Sequence, residues 1–170
     1  MATAVTNLDI HDISRSSKTY GVERFYVVTP IARQQDLVLT ILRHWREGPG
    51  ASFNPSRREA FRLTEVRGSL DEVLADISES TGRRARVVVT GAGFSLGLTG
   101  YGELRKRMDA GGDPYLLVFG TGSGLAAEVV ERADFILEPL GGAGDYNHLS
   151  VRSAVAVVLD RLCRERRREP

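Results

Sequence analysis

Apolar residues along this chain follow two rhythms. Continuous aliphatic or aromatic runs recur in "FYVVTP" (25–30), "RVVVTGA" (86–92), "YLLVFG" (115–120) and "FILEPL" (135–140), with a weaker one in "RLTEV" (62–66). Runs that stay apolar instead of alternating predict strands covered on both faces, as in a parallel sheet. Between them the spacing turns helical. Leu37, Ile41, Leu42 and Trp45 recur at helical intervals, and so do Leu70, Val73, Leu74 and Ile77. Ser69 with Glu72 three residues on reads as a capping box, and Ser56 with Glu59 repeats that signal in "NPSRREAF". Val151, Ala154, Val155, Val158, Leu159 and Leu162 make one stripe on a last helix. Strand and helix patterns in alternation predict one layered α/β domain over residues 1–170. No internal repeat or low-complexity linker interrupts it, and "GAGFSLGLTGYG" (91–102) is expected to form a mobile loop.

Composition narrows the class. With 42% apolar and 26% charged residues among 170, the chain has the balance of a globular domain with a real core. Its net charge of +1 hides local clusters. Arg43, Arg46, Arg57, Arg58 and Arg62 form one, and Arg161, Arg164, Arg166, Arg167 and Arg168 another, which points to a polyanionic partner. Cys163 is the only cysteine, so no internal disulfide and no cysteine-built zinc site is expected, and a reducing cytoplasm fits. The start "MATAVTNLDIHD" lacks the basic and apolar regions of a signal peptide, and no apolar run nears the roughly 20 residues of a membrane span. A soluble, cytoplasmic protein without membrane or metal is the expectation.

Two glycine runs invite a nucleotide reading. "VTGAGFSLG" offers Gly91, Gly93 and Gly97, and "VFGTGSGL" offers Gly120, Gly122 and Gly124 with Leu125 where a dinucleotide fingerprint needs its third glycine. Neither contains the lysine of a phosphate-cradling P-loop. The second run leaves a strand through small residues alone, which lets main-chain groups approach a ligand closely. An uncharged loop of this kind suits an adenosine better than a polyphosphate.

The motifs taken together resemble a known family. "TAVTNLDIHDISRSSKTYGVERFYVV", then "QQD", "HWREG", "NPSR", "GTGSGL", "LEP" and "NHLSVRSAVAVVLDRL" are similar, over essentially the whole chain, to bacterial RNA methyltransferase domains of the SPOUT superfamily. The group in question is sometimes fused to tRNA guanine-N1 methyltransferases. The resemblance implies a mostly parallel sheet flanked by helices, with the C-terminal part threaded as a deep trefoil knot, a rare exception to ordinary topology. It implies S-adenosylmethionine as cofactor, RNA (tRNA or rRNA) as partner, and a homodimer. By the same resemblance three loops form the cofactor pocket: Gly120, Thr121 and Gly122; Glu138, Pro139, Leu140 and Gly141; and Asn147, His148, Leu149, Ser150 and Val151, with Leu140 and Leu149 sandwiching adenine. Read without it, Asn147 and Ser150 have a simpler role as helix caps. Family members carry a further strand ahead of "TAVTNLD", and this chain starts almost on top of that segment, so either the true start lies upstream or the first strand is missing.

Catalysis is expected to rest on position. The resemblance places Arg15 where related enzymes activate a ribose hydroxyl or hold phosphate; an arginine guanidinium keeps its proton, so holding phosphate is the easier task. Asp145 lies in the segment that supplies a proton-accepting carboxylate in the guanine-N1 branch. Arg46, Arg57 and Arg58, near Trp45 and Phe53, are the candidate RNA-binding residues, since arginines hold phosphates and aromatics stack on bases; Trp45 itself reads as core. The alternative is a knotted RNA-binding module without activity. A nicotinamide enzyme of doubly wound topology fails on both glycine runs.

Overall fold

The computed structural model describes residues 4–122, 124–144 and 146–164. Two compact units meet in sequence between Val73 and Leu74.

The first unit contains α1 (Asn7–Thr19), β1 (Phe25–Val28), α2 (Ala32–Arg46), α3 (Pro49–Phe53), α4 (Pro55–Phe61) and β2 (Thr64–Arg67). The Thr6 side chain caps α1 by accepting from the Asp9 amide. Ile10, Ile13, Ser14 and Ser17 face inward, and the Ser14 hydroxyl bonds the Thr64 hydroxyl at 2.7 Å. The two strands pair in parallel, Phe25 opposite Thr64 and Val28 opposite Arg67. Ile10, Val27, Val38, Leu42 and Phe61 form the core. Two expectations shift here. Val38 takes the buried position predicted for Leu37, which is 47% exposed. The Leu37-Val38-Leu39 triplet satisfies helical spacing in more than one rotation, so packing decides the facing. Likewise Asn54, not Ser56, caps α4: its side-chain oxygen accepts from the Arg57 amide at 3.0 Å, with Pro55 at the first helical position.

The second unit holds most of α5 (Leu70–Thr81), then β3 (Arg86–Thr90), β4 (Leu98–Thr99), α6 (Tyr101–Asp109), β5 (Tyr115–Phe119), α7 (Ala127–Glu131), β6 (Phe135–Leu137) and α8 (Val151–Cys163). Four strands pair in parallel in the order β4-β6-β3-β5. Val87, Val88 and Val89 of β3 are at most 2% exposed, which is why that strand reads as an unbroken apolar run. Below the sheet's strand starts, Asp134 locks β6 to β3: its amide donates to the Val87 carbonyl and its carboxylate accepts from the Val87 amide, both at 2.8 Å. Val88, Tyr101, Leu104, Leu137, Val158 and Leu162 form the core, with the predicted stripe of α8 supplying the last two. The stretch 91–102 is not one loop. Its second half forms β4 and the first turn of α6, a strand of only two residues being too short for periodicity to register. The predicted strand 135–140 stops at Leu137, because Pro139 has no N–H to extend a ladder.

Candidate active site

The C-terminal ends of β5 and β6 leave the second unit's sheet at the same edge, with β3 between them. Two interstrand steps place these exits roughly 10 Å apart, the span of a nucleoside.

After β5 the chain folds back tightly. A Cβ on Gly120 would lie 2.5 Å from the Gly124 carbonyl carbon and 2.8 Å from the Leu125 nitrogen, so only glycine fits. The Gly124 amide donates to the Thr121 carbonyl at 3.2 Å. Gly122 and Gly124 hold φ of 58° and 89°, in the left-handed region that costs a side chain energy.

After β6, the Glu138 amide donates to the Thr99 carbonyl at 3.0 Å, and the Glu138 carboxylate accepts from the Tyr101 amide at 3.1 Å. That carboxylate therefore caps α6, where the helix dipole favours negative charge. Burial pushes the Tyr101 phenol up, with the Arg161 guanidinium opposing and Glu138 reinforcing. Pro139 follows, and Leu140 packs against the core that contains Leu137.

The third predicted segment runs into α8. Ser150 is the N-cap: its hydroxyl accepts from the Ser153 amide and shares a 2.8 Å hydrogen bond with the Ser153 hydroxyl. Val151 begins the helix. His148 meets the edge of the Tyr146 ring at 5.2 Å between centroids, and Tyr146 and Leu149 are 80% and 53% exposed. Asn147 precedes them in the same loop. The capping role weighed for Ser150 is thus present; Asp145 lies outside the described residues, as do Arg166, Arg167 and Arg168.

The remaining predicted residues belong to the first unit. Arg15 is exposed on α1. Arg46 donates from Nε to the Phe61 carbonyl at 3.0 Å and from Nη2 to the Thr64 carbonyl, tying the end of α4 to β2. Arg57 lies over the Trp45 ring, 4.6 Å from its centroid, with Nε buried and without a hydrogen-bond partner. Arg58 is exposed.

One residue escaped the sequence reading. His11 packs edge-on against Trp45 and Phe61, with centroids 5.2 and 4.8 Å away. Burial lowers its pKa, Arg57, Arg15 and His44 lower it further, and Asp12 opposes them. The available signal was its spacing: His11 and Arg15 stand one helical turn apart.

The second unit is thus a parallel α/β sheet with a tight glycine turn where β5 ends. Residues 1–164 match the family described as SAM-dependent RNA methyltransferase, and the chain belongs to that family. It is 45% identical over 162 residues to a tRNA (guanine-N(1)-)-methyltransferase of Oleidesulfovibrio alaskensis and 50% identical over 167 residues to one of Nitratidesulfovibrio vulgaris. Each alignment covers 95% of this chain, which spans 37% of each relative's length. Among solved structures, the fold matches that of the SpoU methyltransferase AviRb from Streptomyces viridochromogenes in complex with AdoMet. The TM-score is 0.61 at 18% identity, over 96% of this chain and 55% of that one. The likeness shows a fold of the kind that this SpoU methyltransferase has. Among the described residues no helix is long and apolar enough to cross a membrane.

Proposed function

We propose that this chain binds S-adenosylmethionine at the C-terminal edge of its four-stranded sheet and transfers the methyl group to a nucleotide of RNA, with tRNA the first acceptor to test. The observation that carries this reading is the tight turn at Gly120, whose side-chain position is taken by the chain's own backbone, at the exit of β5 and at the same end of the sheet as the exit of β6. It fits an uncharged adenosine. Main-chain groups of Gly120, Thr121 and Gly122 hold one side. Main-chain groups of Glu138 with Pro139 and Leu140 hold another, the Glu138 side chain being engaged in capping α6. Asn147, His148, Leu149, Ser150 and Val151 close the third, and the exposed Leu149 gains cover by packing on adenine opposite Leu140.

When bound, the cofactor supplies a methyl group on a sulfonium, already activated for in-line displacement. The protein's own residues then have three tasks. The glycine loop orients the donor. Arg15 and Arg58 hold RNA phosphate, with Arg57 and Arg46 flanking them. Asp145, or another base, takes the acceptor's proton. A C-terminal trefoil knot is supported by the strand order, since β6, late in the chain, lies between β3 and β4, which an earlier loop joins. One domain, a homodimer and a cytoplasmic location complete the reading.

Isothermal calorimetry with S-adenosylmethionine, followed by mass mapping of methylated nucleosides in tRNA and rRNA, tests it. Saturable cofactor binding and a single modified position are expected. RNA affinity without cofactor affinity would select the inactive RNA-binding module instead.

A further inference from the structure

The first unit carries an aromatic ring that its core does not use. Phe53, the last residue of α3, is 86% exposed, more than any other large apolar side chain among the described residues. A ring left in water contributes no burial to folding. The segment beneath it is nevertheless rigidly built. Pro49 and Pro55 occupy the first positions of α3 and α4. Gly50 and Ala51 are buried, and a Cβ on Gly50 would lie 2.7 Å from the Trp45 ring and 2.9 Å from the His44 ring, so α3 sits directly on α2. Asn54 follows Phe53 and ends α3, its amide donating to the Gly50 carbonyl at 3.0 Å. The Asn54 side chain then accepts from the Arg57 amide at 3.0 Å. Phe53 thus stands at a fixed corner, and the helix that leaves it carries Arg57 and Arg58.

Charge along this corner has one sign. From Gly48 to Arg58 the chain holds no carboxylate. Glu59, next along, already accepts from Lys18 at 2.9 Å and from Arg62 at 3.2 Å. Arg57 and Arg58 have no ion pair among the described residues. Trp45, the other large ring nearby, is taken by the protein itself. Arg57 covers its face at 4.6 Å, and His11 and His44 meet it edge-on, 5.2 and 5.0 Å between centroids.

We infer that Phe53 is a stacking platform for an unpaired base of the RNA, whose phosphate Arg58 holds and Arg57 flanks; the inference deepens the RNA reading above and rests on it. Chemistry selects the partner. An apolar protein surface would cover the ring but would leave two guanidiniums unpaired beside it. A nucleotide supplies a π face and an anion together. The ring also selects the form of RNA. Bases inside a duplex have both faces covered by their neighbours, so only a loop, bulge or single strand offers one for stacking. Because two prolines and the Asn54 cap hold the corner, little ordering of the protein opposes binding.

Fluorescence anisotropy on the full chain without cofactor tests this, with a labelled single-stranded RNA oligonucleotide and a blunt duplex of the same sequence as probes. The single strand should bind more tightly. Phe53→Ala should weaken it about 5- to 100-fold and leave duplex affinity unchanged. The salt dependence should stay as it was, because no phosphate contact is lost. Phe53→Trp should keep wild-type affinity, whereas Phe53→Leu, apolar but without a π face, should lose about as much as Phe53→Ala. Arg58→Ala should weaken both probes and flatten the salt dependence. Truncating so exposed a ring should leave the core intact, which circular dichroism checks; were Phe53→Ala to unfold, Phe53→Leu would decide. Single-strand affinity indifferent to both variants would overturn the inference, as would equal losses on the duplex. So would a chain dimer that dissociates on Phe53→Ala with RNA affinity intact, since the ring would then be a protein contact. A wild-type chain that binds neither probe overturns the underlying RNA reading; binding without regard to Phe53 overturns this inference alone.

Discussion

Individual residues carry the sharpest constraints, and Gly120 is the sharpest. Its missing Cβ is replaced by the chain's own backbone at 2.5 Å, so no side-chain rearrangement relieves a substitution. Gly120→Ala should open the turn and weaken S-adenosylmethionine binding by at least tenfold in calorimetry, with the sheet intact by circular dichroism. Gly122→Ala, forced to a φ of 58°, should cost about 1–2 kcal/mol of stability and a smaller share of affinity. At His11 the sign follows from its lowered pKa. The unfolded chain binds a proton at about pH 6.5 and the folded one binds it less readily, so protonation favours unfolding. Stability is complete above the unfolded pKa and declines as pH falls through the folded value. Denaturant titrations of His11→Gln should therefore show a flatter acid-side profile than the wild type. The chemical type of these residues was legible in the chain, and their partners were not. "GTG" announces a bend, but nothing in it says that Gly120 abuts Gly124. Arg46 stood among the basic residues as a phosphate ligand, and two of its N–H groups bond backbone carbonyls.

At the scale of elements, legibility depended on burial and length. β3 was plain because both faces are covered and every position is apolar. α8 was plain because one stripe of six residues has one solution. β4 was hidden, since two residues carry no period; its place comes from pairing with β6, a contact with residues far along the chain. The carboxylates that join elements were equally hidden. Burial alone would raise the Asp134 carboxyl, but the Val87 amide, Arg84 and Arg86 outweigh it and hold the group below the usual carboxylate range. Its folded pKa is depressed, so its contribution is present above about pH 4 and lost as pH falls through the folded value. Asp134→Ala leaves the Val87 amide without this acceptor and should destabilise the protein by about 1–3 kcal/mol, read as a lower denaturation midpoint. Glu138→Ala removes the carboxylate at the start of α6 and should cost about 0.5–2 kcal/mol. Glu138→Gln, which keeps an acceptor oxygen, should recover much of that loss. Recovery of this kind separates a capping role from a charge held for the cofactor.

For the whole molecule, hydrophobic rhythm specifies layers and not the order of strands within them. The sheet order β4-β6-β3-β5 sets a late strand between two earlier ones, an arrangement that no local pattern encodes because it is decided by which edges remain open as the chain packs. That order is also what places two loops distant in sequence at one sheet edge, and it makes ligand binding a test of the assembled unit. A ligand that binds only the folded chain stabilises it in proportion to the logarithm of its concentration. S-adenosylmethionine at 100 times its dissociation constant should add about 2.7 kcal/mol, raising the melting temperature by roughly 5–10 °C for a chain of this size. Arg15→Ala, altered in the other unit, should keep that full shift while losing transfer. Gly120→Ala should lose the shift. If instead Arg15→Ala abolished it, binding and RNA chemistry would not be divided between the sheet-edge loops and the first helix, and the assignment of Arg15 to phosphate would have to give way.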